Sequence, residues 1–362
     1  MDVETKLELI RGAVEEIITL EELREVLETK EHPVAYDGFE PSGLAHLPFG
    51  VFRPLLLEQL LKADIRFKLY LADWFAWINN KMGGDLEKIR RVGEYFIEVW
   101  RAAGVDLNKV EIVWASDLVK RAEYWKRVIL IAKHCTVARA ERALTIMGRK
   151  KGEMKEVAQY FYPMMQVADI FELNVDICQL GLDQRRAGML AREIGEKLGW
   201  GKPVVASHHM LMGLEGRKQP EGYEESAEMD VAIASKMSKS KPESCIYVHD
   251  SKEEIFRKLS KAYCPPRETE NNPVLDYAKH LVFRKFPSVV VRREARYGGD
   301  TEFASYEELE SAYRKGELHP LDLKRAVAEY LDKMISPIRK HFETDEKARE
   351  LYEFVKSQRV TR

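Results

Sequence analysis

Apolar residues recur along the first 206 positions with two periods that alternate. Short runs rich in Val, Leu, Ile and aromatic residues predict strands at 33–39, 67–72, 110–114, 175–180 and 203–206. Apolar residues repeated every three or four positions predict helices from Val51 onward and at 85–104, 118–146, 156–171 and 183–198. Strands separated by helices predict a parallel sheet covered on both faces, with ligands bound beyond the carboxyl ends of the strands.

The pattern changes after Pro242. Capping patterns at Thr19–Glu22, Ser251–Glu254 and Ser305–Glu308 predict helix starts, and apart from a strand at 289–292 the rest of the chain reads as helical. We therefore predict an α/β fold with a parallel-sheet domain over 1–230, connective helices at about 115–150, a linker at 231–250 and a mainly helical domain over 251–362.

Composition narrows the class of protein. The chain has 362 residues, 45% hydrophobic and 33% charged, with a net charge of −2, so a nucleic acid would have to be held by local basic patches. Its longest apolar runs are too short to span a bilayer, and its acidic N-terminus lacks the apolar core of a secretory signal. Four scattered cysteines form no CxxC pair, which indicates a reducing cytoplasm rather than a zinc site or disulfides.

One polar stretch suggests phosphate chemistry. Ala234–Pro242 contains three lysines and three serines, whose ammonium and hydroxyl groups could neutralise a polyphosphate. The alternative is a solvated polar turn. Upstream, a strand at 33–39 passes through a glycine-bearing turn into a helix, a geometry that directs free N–H groups toward an anion.

These stretches occur together with further motifs. Pro41-Ser42-Gly43 followed by His46, together with the Lys236–Ser240 run, resembles the class I aminoacyl-tRNA synthetases. With Gly38–Gly43, Tyr162–Asp169 and Gly181–Arg185, the chain resembles the tyrosyl-tRNA synthetases of the archaeal and eukaryotic cytosolic type from about Tyr36 to Ile338. The resemblance implies a Rossmann-like catalytic domain, a C-terminal anticodon-binding domain and a cytoplasmic homodimer. It also implies L-tyrosine, ATP with Mg²⁺ and tRNA(Tyr) as ligands.

The tyrosine site is expected on one helix. Tyr162, Gln166 and Asp169 are spaced i, i+4 and i+7 and so share a face, within an otherwise apolar segment. That face could bind a ligand or form a buried polar network. The resemblance implies that Tyr36 and Asp169 bond the substrate phenol, whereas Tyr162, Gln166 and Gln184 hold the amino group and flank the ring. A tryptophanyl enzyme, the alternative, would need an indole acceptor but no phenol partner at position 36.

The resemblance also assigns the ATP site. His46, Lys236 and Lys239 would stabilise charge on the phosphates, and further ATP contacts would come from Gly43, Gly181 and Asp183. Asp183 could equally cap a helix. No protein-bound metal is expected, because adjacent histidines at 208 and 209 point to opposite sides and no nearby carboxylate or cysteine completes a site.

Three positions depart from the family pattern. Pro48 and Phe49 replace the Gly and His of the HIGH motif, and Phe75 stands where relatives often have His. We expect the rings of Phe49 and Phe75 to touch. The departures also leave open an RNA-binding or regulatory protein without catalysis.

The C-terminal half contains a basic stretch, with Lys279, Arg284, Lys285, Arg292, Arg293 and Arg296. The resemblance implies that Tyr297 stacks on the first anticodon base, that Asp322 reads it and that His319 supports the loop. The alternative is a charged helical surface with a buried tyrosine. Arg142, Arg185 and Arg186 are expected to contact the acceptor stem.

Overall fold

The computed structural model describes residues 1–147, 156–220 and 227–358. Its main sheet has six strands in the order β1-β6-β5-β2-β3-β4, and a two-stranded sheet pairs β7 with β8. The strands are β1 Glu16–Ile18, β2 Val34–Phe39, β3 Arg66–Leu71, β4 Val110–Trp114, β5 Ile177–Cys178, β6 Val204–Ser207, β7 Val289–Val291 and β8 Thr301–Phe303.

The helices of the first half cover the sheet. They are α1 Val3–Ala13, α2 Leu20–Thr29, α3 Arg53–Lys62, α4 Asp73–Ile78, α5 Leu86–Ala102, α6 Ala115–Leu118, α7 Ala122–Lys133, α8 Val137–Ala143, α9 Phe161–Glu172 and α10 Arg185–Leu198. A π-helical turn at Pro48–Phe52 leads directly into α3, so the predicted helix begins three residues before Val51. Pro48 in that first turn needs no N–H partner.

The remaining helices form most of the second half. They are α11 Ala227–Ser235, α12 Lys252–Ser260, α13 Pro273–Tyr277, α14 Phe283–Lys285, α15 Tyr306–Lys315, α16 Pro320–Thr344 and α17 Glu346–Ser357. Thr19, Ser251 and Ser305 cap α2, α12 and α15 as predicted, each accepting a backbone N–H three residues on. No described helix is both long and apolar enough to cross a membrane.

The predicted parallel sheet is confirmed for β2 to β6, whose adjacent strands all pair in parallel. The first strand was not predicted: β1 pairs antiparallel with β6 and closes one edge. Strand β8 was missed as well. Both have three residues and include a glutamate, whereas the equally short β7 is an unbroken run of valines, so no strand pattern stands out in them.

Alternating residues of the sheet belong to two different hydrophobic clusters. Phe67, Leu69 and Leu71 of β3 pack in one cluster, while Tyr70 packs in the other. Because successive side chains of a strand point to opposite faces, the two clusters cover the two faces of the sheet. The first cluster continues without a break into the C-terminal helices, as far as Val355. The division at 231–250 stays a prediction, and residues 148–150 of the predicted connective segment lie outside the described residues.

Candidate active site

A cavity of about 310 Å³ opens beyond the carboxyl ends of β2, β3, β5 and β6. This is where a parallel sheet of this kind exposes the turns that follow its strands. The cavity is lined by nine of the predicted site residues, namely Tyr36, His46, Tyr162, Gln166, Asp169, Gly181, Asp183, Gln184 and Lys236. Positions spread over 200 residues therefore meet at one place.

Helix α9 supplies the polar face that its spacing predicted. Tyr162 donates to Oε1 of Glu40 at 2.6 Å, and its ring rests edge-to-face on Phe75 with centroids 4.7 Å apart. One turn further on, Gln166 donates through Nε2 to Oε1 of Gln184 at 3.3 Å. Tyr162, Gln166 and Gln184 thus line the cavity, and hydrogen bonds to neighbouring residues hold all three in place.

The deep end of the cavity is built to take a hydrogen-bonding group. Asp169 is fully buried, and its Oδ1 accepts from the phenol of Tyr124 at 2.8 Å. Its Oδ2, the hydroxyls of Tyr36 and Tyr70 and Oε1 of Gln166 are buried without a hydrogen-bond partner among the described residues. Buried polar atoms normally have partners, so their convergence on one cavity indicates a polar ligand.

Burial also sets the protonation of this end. It raises the pKa of Asp169 to about 8, partly offset by the hydrogen bond from Tyr124. Burial likewise holds the pKa of Tyr36 well above its usual range. Both groups are therefore proton-bearing near neutral pH when no ligand is bound.

Sequence reasoning did not assign Glu40 and Tyr70, which line the cavity, or Tyr124, which lies behind Asp169. Tyr70 sits opposite Gly38 in the register of β2 and β3, so strand pairing could have suggested it. Tyr124 lies 45 residues before Asp169 in a helix of unremarkable pattern, and no local signal points to it.

The other end of the cavity is cationic. Lys236 donates to Oδ2 of Asp183 at 2.6 Å. Burial alone would raise the pKa of Asp183, but the Lys236 ammonium outweighs it and lowers that pKa. Asp183 does not cap a helix, because its carboxylate is bound to Lys236. A Cβ at Gly181 would lie 2.6 Å from the Asp183 carboxylate, so a larger residue there would clash with it.

Lys239 and His46 line an adjoining cavity of about 210 Å³. Nζ of Lys239 donates to the carbonyl and hydroxyl oxygens of Ser42 at 2.9 and 3.0 Å. The carbonyl of His46 accepts from the backbone N–H groups of Phe49 and Gly50, so the imidazole stands at a helix start, as predicted. Gly43 does not line either cavity; its φ of +92° forms the turn that precedes His46.

The expected contact between Phe49 and Phe75 is wrong. The ring of Phe49 packs on Phe96 and Trp100 at 4.1 and 4.8 Å, in the cluster on one face of the sheet. Phe75 packs on Tyr70 and Tyr162 in the cluster on the other face. The sheet separates the two rings, so each replaces an imidazole in a different environment.

The histidines at 208 and 209 do point to different partners, but the expectation that no carboxylate lies near them is wrong. His209 bonds Asp276 at 2.7 Å and Glu15 at 3.1 Å, and its ring stacks on His280 at 3.8 Å with an angle of 9°. His209, Asp276 and His280 could supply three metal ligands. Parallel stacked imidazoles cannot both direct an in-plane lone pair at one ion, so in this arrangement the group is an ion-pair cluster. The absence of a bound metal stays a prediction.

A second cavity, of about 720 Å³, brings together Tyr297, His319 and Asp322. Tyr297 is 60% exposed, so the alternative of a buried tyrosine is wrong. His319 caps α16, accepting the Leu321 N–H on Nδ1 at 3.2 Å. An exposed ring, an imidazole and a carboxylate around one hollow could take an unstacked base.

Several predicted cations have structural partners. Arg293 donates to Gly299 O at 3.1 Å and Glu317 O at 2.9 Å, which shapes the turn that carries Tyr297. Arg185 pairs with Glu16 at 2.8 Å and ties α10 to β1. Arg186 donates to the hydroxyl of Thr145 at 2.7 Å and, at 3.2 Å, to the carbonyl of Arg142, whose side chain is exposed.

Comparison with known proteins agrees with this geometry. Residues 28–220 and 229–336 match the family described as tRNA synthetases class I (W and Y). The chain is 44% identical to cytoplasmic tyrosine–tRNA ligase 1 of Arabidopsis thaliana, over 100% of this chain and 90% of that protein. It is 45% identical to the tyrosine–tRNA ligase of Saccharolobus islandicus over the full length of both. The solved tyrosyl-tRNA synthetase of Pyrococcus horikoshii, complexed with L-tyrosine, superposes with a TM-score of 0.89 at 42% identity, covering 99% of this chain and 100% of that one.

The chain therefore belongs to the class I tRNA synthetases, which use ATP. Within that class its relatives at 42–45% identity are named for tyrosine, which decides against the tryptophanyl alternative and the non-catalytic one. Its activity is that of a tyrosine–tRNA ligase: tyrosine is activated as an adenylate and then transferred to tRNA.

Proposed function

We propose that the 310 Å³ cavity binds L-tyrosine with its phenol at Tyr36 and Asp169. The convergence of unpartnered buried oxygens at that end is the observation that carries this assignment. Tyr162, Gln166 and Gln184, nearer the mouth, hold the amino group and flank the ring. Phenylalanine would leave the buried polar atoms without a partner, so it is rejected.

ATP lies across the cationic end. His46, Lys236 and Lys239 stabilise charge as the tyrosine carboxylate attacks the α-phosphorus and pyrophosphate leaves. Gly43 and Gly181 shape the turns, and Asp183 accepts the ribose hydroxyls. The lining carboxylates of Asp37, Glu40 and Asp183 are held by Arg53, Tyr162 and Lys236. Mg²⁺ therefore enters with the phosphates rather than in a protein cage.

The C-terminal half binds the anticodon of tRNA(Tyr), with Tyr297 stacked on the first base, Asp322 reading its edge and His319 supporting both. Arg142, Arg185 and Arg186 face the acceptor stem, with Arg185 contributing through its hold on β1. On this proposal residues 1–230 form the catalytic domain, 231–250 the linker that contains the lysine loop, and 251–362 the anticodon-binding domain.

The enzyme acts in the cytoplasm as a homodimer. Its described surface exposes large or branched apolar residues on α4, on α7, in the 3-10 turn Val157–Tyr160 and at the start of α9, namely Trp77, Ile129, Val157, Tyr160 and Phe161. Aromatic contacts link this surface through Trp74 and Trp125. We call these five residues the apolar patch and propose that it pairs with the same patch of a second copy.

Two variants separate the steps of the reaction. Lys239→Ala is expected to slow tyrosine-dependent pyrophosphate exchange by about 10²–10³-fold, because a donor to the transition-state charge is lost, while tyrosine affinity measured by calorimetry stays near normal.

Tyr297→Ala is expected to leave exchange unchanged. It should reduce kcat/KM for tRNA charging by an amount equivalent to about 1–3 kcal/mol, the stacking free energy of one base.

Each variant serves as the other's control. An equal loss of tyrosine affinity in Lys239→Ala would contradict its assignment to ATP. Normal charging by Tyr297→Ala would remove the anticodon assignment without touching the tyrosine pocket.

A further inference from the structure

One short segment, Cys245–His249, lies against the turn that carries His46. The Leu47 N–H donates to Ile246 O at 3.0 Å, and the Val248 N–H donates to Ala45 O at 3.1 Å. Between these bonds His46 and Tyr247 face each other as an antiparallel bridge. The backbone of Tyr247 is therefore fixed relative to the backbone of His46.

The side chain of Tyr247 reaches the lysine loop. Its hydroxyl donates to the carbonyl of Lys239 at 3.1 Å. The Lys239 ammonium in turn bonds both oxygens of Ser42, four residues before His46. Tyr247, Lys239 and the Ser42–His46 turn thus form a closed ring of contacts that includes the backbone of His46 and the ammonium of Lys239.

Hydrogen bonds to Asp250 and Lys258 fix the segment that carries Tyr247. Its N–H donates to Oδ2 of Asp250 at 2.9 Å. Lys258, only 5% exposed, bonds the same oxygen at 2.6 Å and Cys245 O at 2.9 Å, with its ammonium 5.0 Å from the centre of the Tyr247 ring. Burial raises the pKa of Tyr247, so the phenol keeps its proton and remains a donor at working pH.

We propose that Tyr247 is a positioning residue that holds the main chain of Lys239 in register with His46. This inference rests on the proposed role of Lys239. No feature of the sequence marked Tyr247. Its hydroxyl bonds the Lys239 carbonyl and also interacts with the buried thiol of Cys245. Its function follows from the contact with Lys239: the phenol fixes the main chain of the loop at Lys239, and the ammonium is placed where ATP phosphates would lie.

The test is Tyr247→Phe, which keeps the ring over Lys258 and removes only the oxygen. Loss of one net hydrogen bond predicts a fall of about 2- to 12-fold in the single-turnover rate of adenylate formation. Tyrosine affinity should stay unchanged, and trypsin should cut the loop after Lys236 and Lys239 faster. The effect should vanish in a Lys239→Ala background, because a residue that acts only through another contributes nothing once that one is gone.

Tyr313→Phe is the matched control. Its buried phenol also donates to a main-chain carbonyl, Pro265 O at 2.7 Å, but within the C-terminal helices, so the adenylation rate should not change. The proposal is overturned if Tyr247→Phe activates tyrosine at the normal rate, or if its loss simply adds to that of Lys239→Ala. A normal rate in Lys239→Ala itself would instead overturn the proposed role of Lys239.

Discussion

Charge at the ATP end is set by burial of single side chains. Burial, followed by the charges of Lys239 and Lys236, holds the pKa of His46 well below its usual range, so the imidazole is neutral and offers one N–H. Burial, followed by the charge of Lys81, lowers the pKa of Lys239 to about 8. The free enzyme therefore has a cation at Lys239 that titrates close to working pH.

This pKa makes a prediction for activity. Below about pH 8 Lys239 is an ammonium ion, and above it the charge is lost, so kcat/KM for ATP at saturating tyrosine should fall as pH rises through 8. The measurement is pyrophosphate exchange from pH 6 to 10. Lys239→Arg keeps its charge throughout, so its profile should stay flat to higher pH. The same fall in both proteins would show that another group controls it.

At the scale of elements, residues 208–214 connect the C-terminal half to the lysine loop. Asp276, before the end of α13, bonds His209 and also accepts the Met212 N–H at 2.9 Å. Met212 pairs with Lys236 as an antiparallel bridge, and Met237 N–H donates to Leu211 O at 2.7 Å. The ion pair of Asp276 and His209 therefore supports the strand on which the loop rests.

Removing this pair should destabilise the fold in a pH-dependent way. Burial alone would lower the pKa of His209, but Asp276 and Glu15 outweigh it and raise that pKa to about 10. The pair's stabilisation is thus complete below pH 6.5 and lost as pH rises through 10. His209→Gln leaves the Asp276 charge buried and should cost about 3–5 kcal/mol of unfolding free energy at pH 7.

Guanidinium titrations at pH 7 and 10 measure this loss, which should shrink at the higher pH. The exposed His32 gives the control, because His32→Gln should change the unfolding free energy by less than about 0.5 kcal/mol. An equal loss for His209→Gln at both pH values would contradict the charged pair.

The spacing of apolar and polar residues predicted the helices and strands whose formation depends on nearby residues. The face of Tyr162, Gln166 and Asp169 and the strand Val110–Trp114 follow from spacing alone. Contacts between distant segments could not be predicted in this way. Asp276 bonds His209 across a separation of 67 residues. Phe49 and Phe75 lie on opposite faces of the sheet, and the face each occupies depends on register and packing. The family resemblance identified the pocket but not the contributions of Glu40, Tyr70 and Tyr124.

At the scale of the whole molecule, the apolar patch is the surface that we propose to pair with a second copy. Ile129 lies one turn after Trp125 on α7, so the two share a face, and the Trp125 ring is 6.5 Å from that of Phe161. Large exposed apolar surfaces mark interfaces when they are contiguous. A two-fold axis through the patch would bury it in both copies.

Ile129→Asp should therefore convert a dimer into monomers, because it would place two carboxylates near the axis. Light scattering should give the wild type twice the 42.0 kDa chain mass and the variant once that mass, with unchanged circular dichroism. Leu321→Asp, at an exposed apolar residue of the second half, should remain dimeric. A wild type with the mass of one chain would refute the proposal.

The hydrophobic cluster that runs from the first helix to Val355 limits how this enzyme can be re-engineered. Helices α16 and α17 pack on α5, with the rings of Tyr95 and Phe342 5.5 Å apart. A chimera that exchanged the C-terminal half for that of another synthetase would need side chains that match the surface of α5. Without them, water-filled gaps would remain between the two halves of the protein. New modules are better appended at the chain's ends than spliced at its centre.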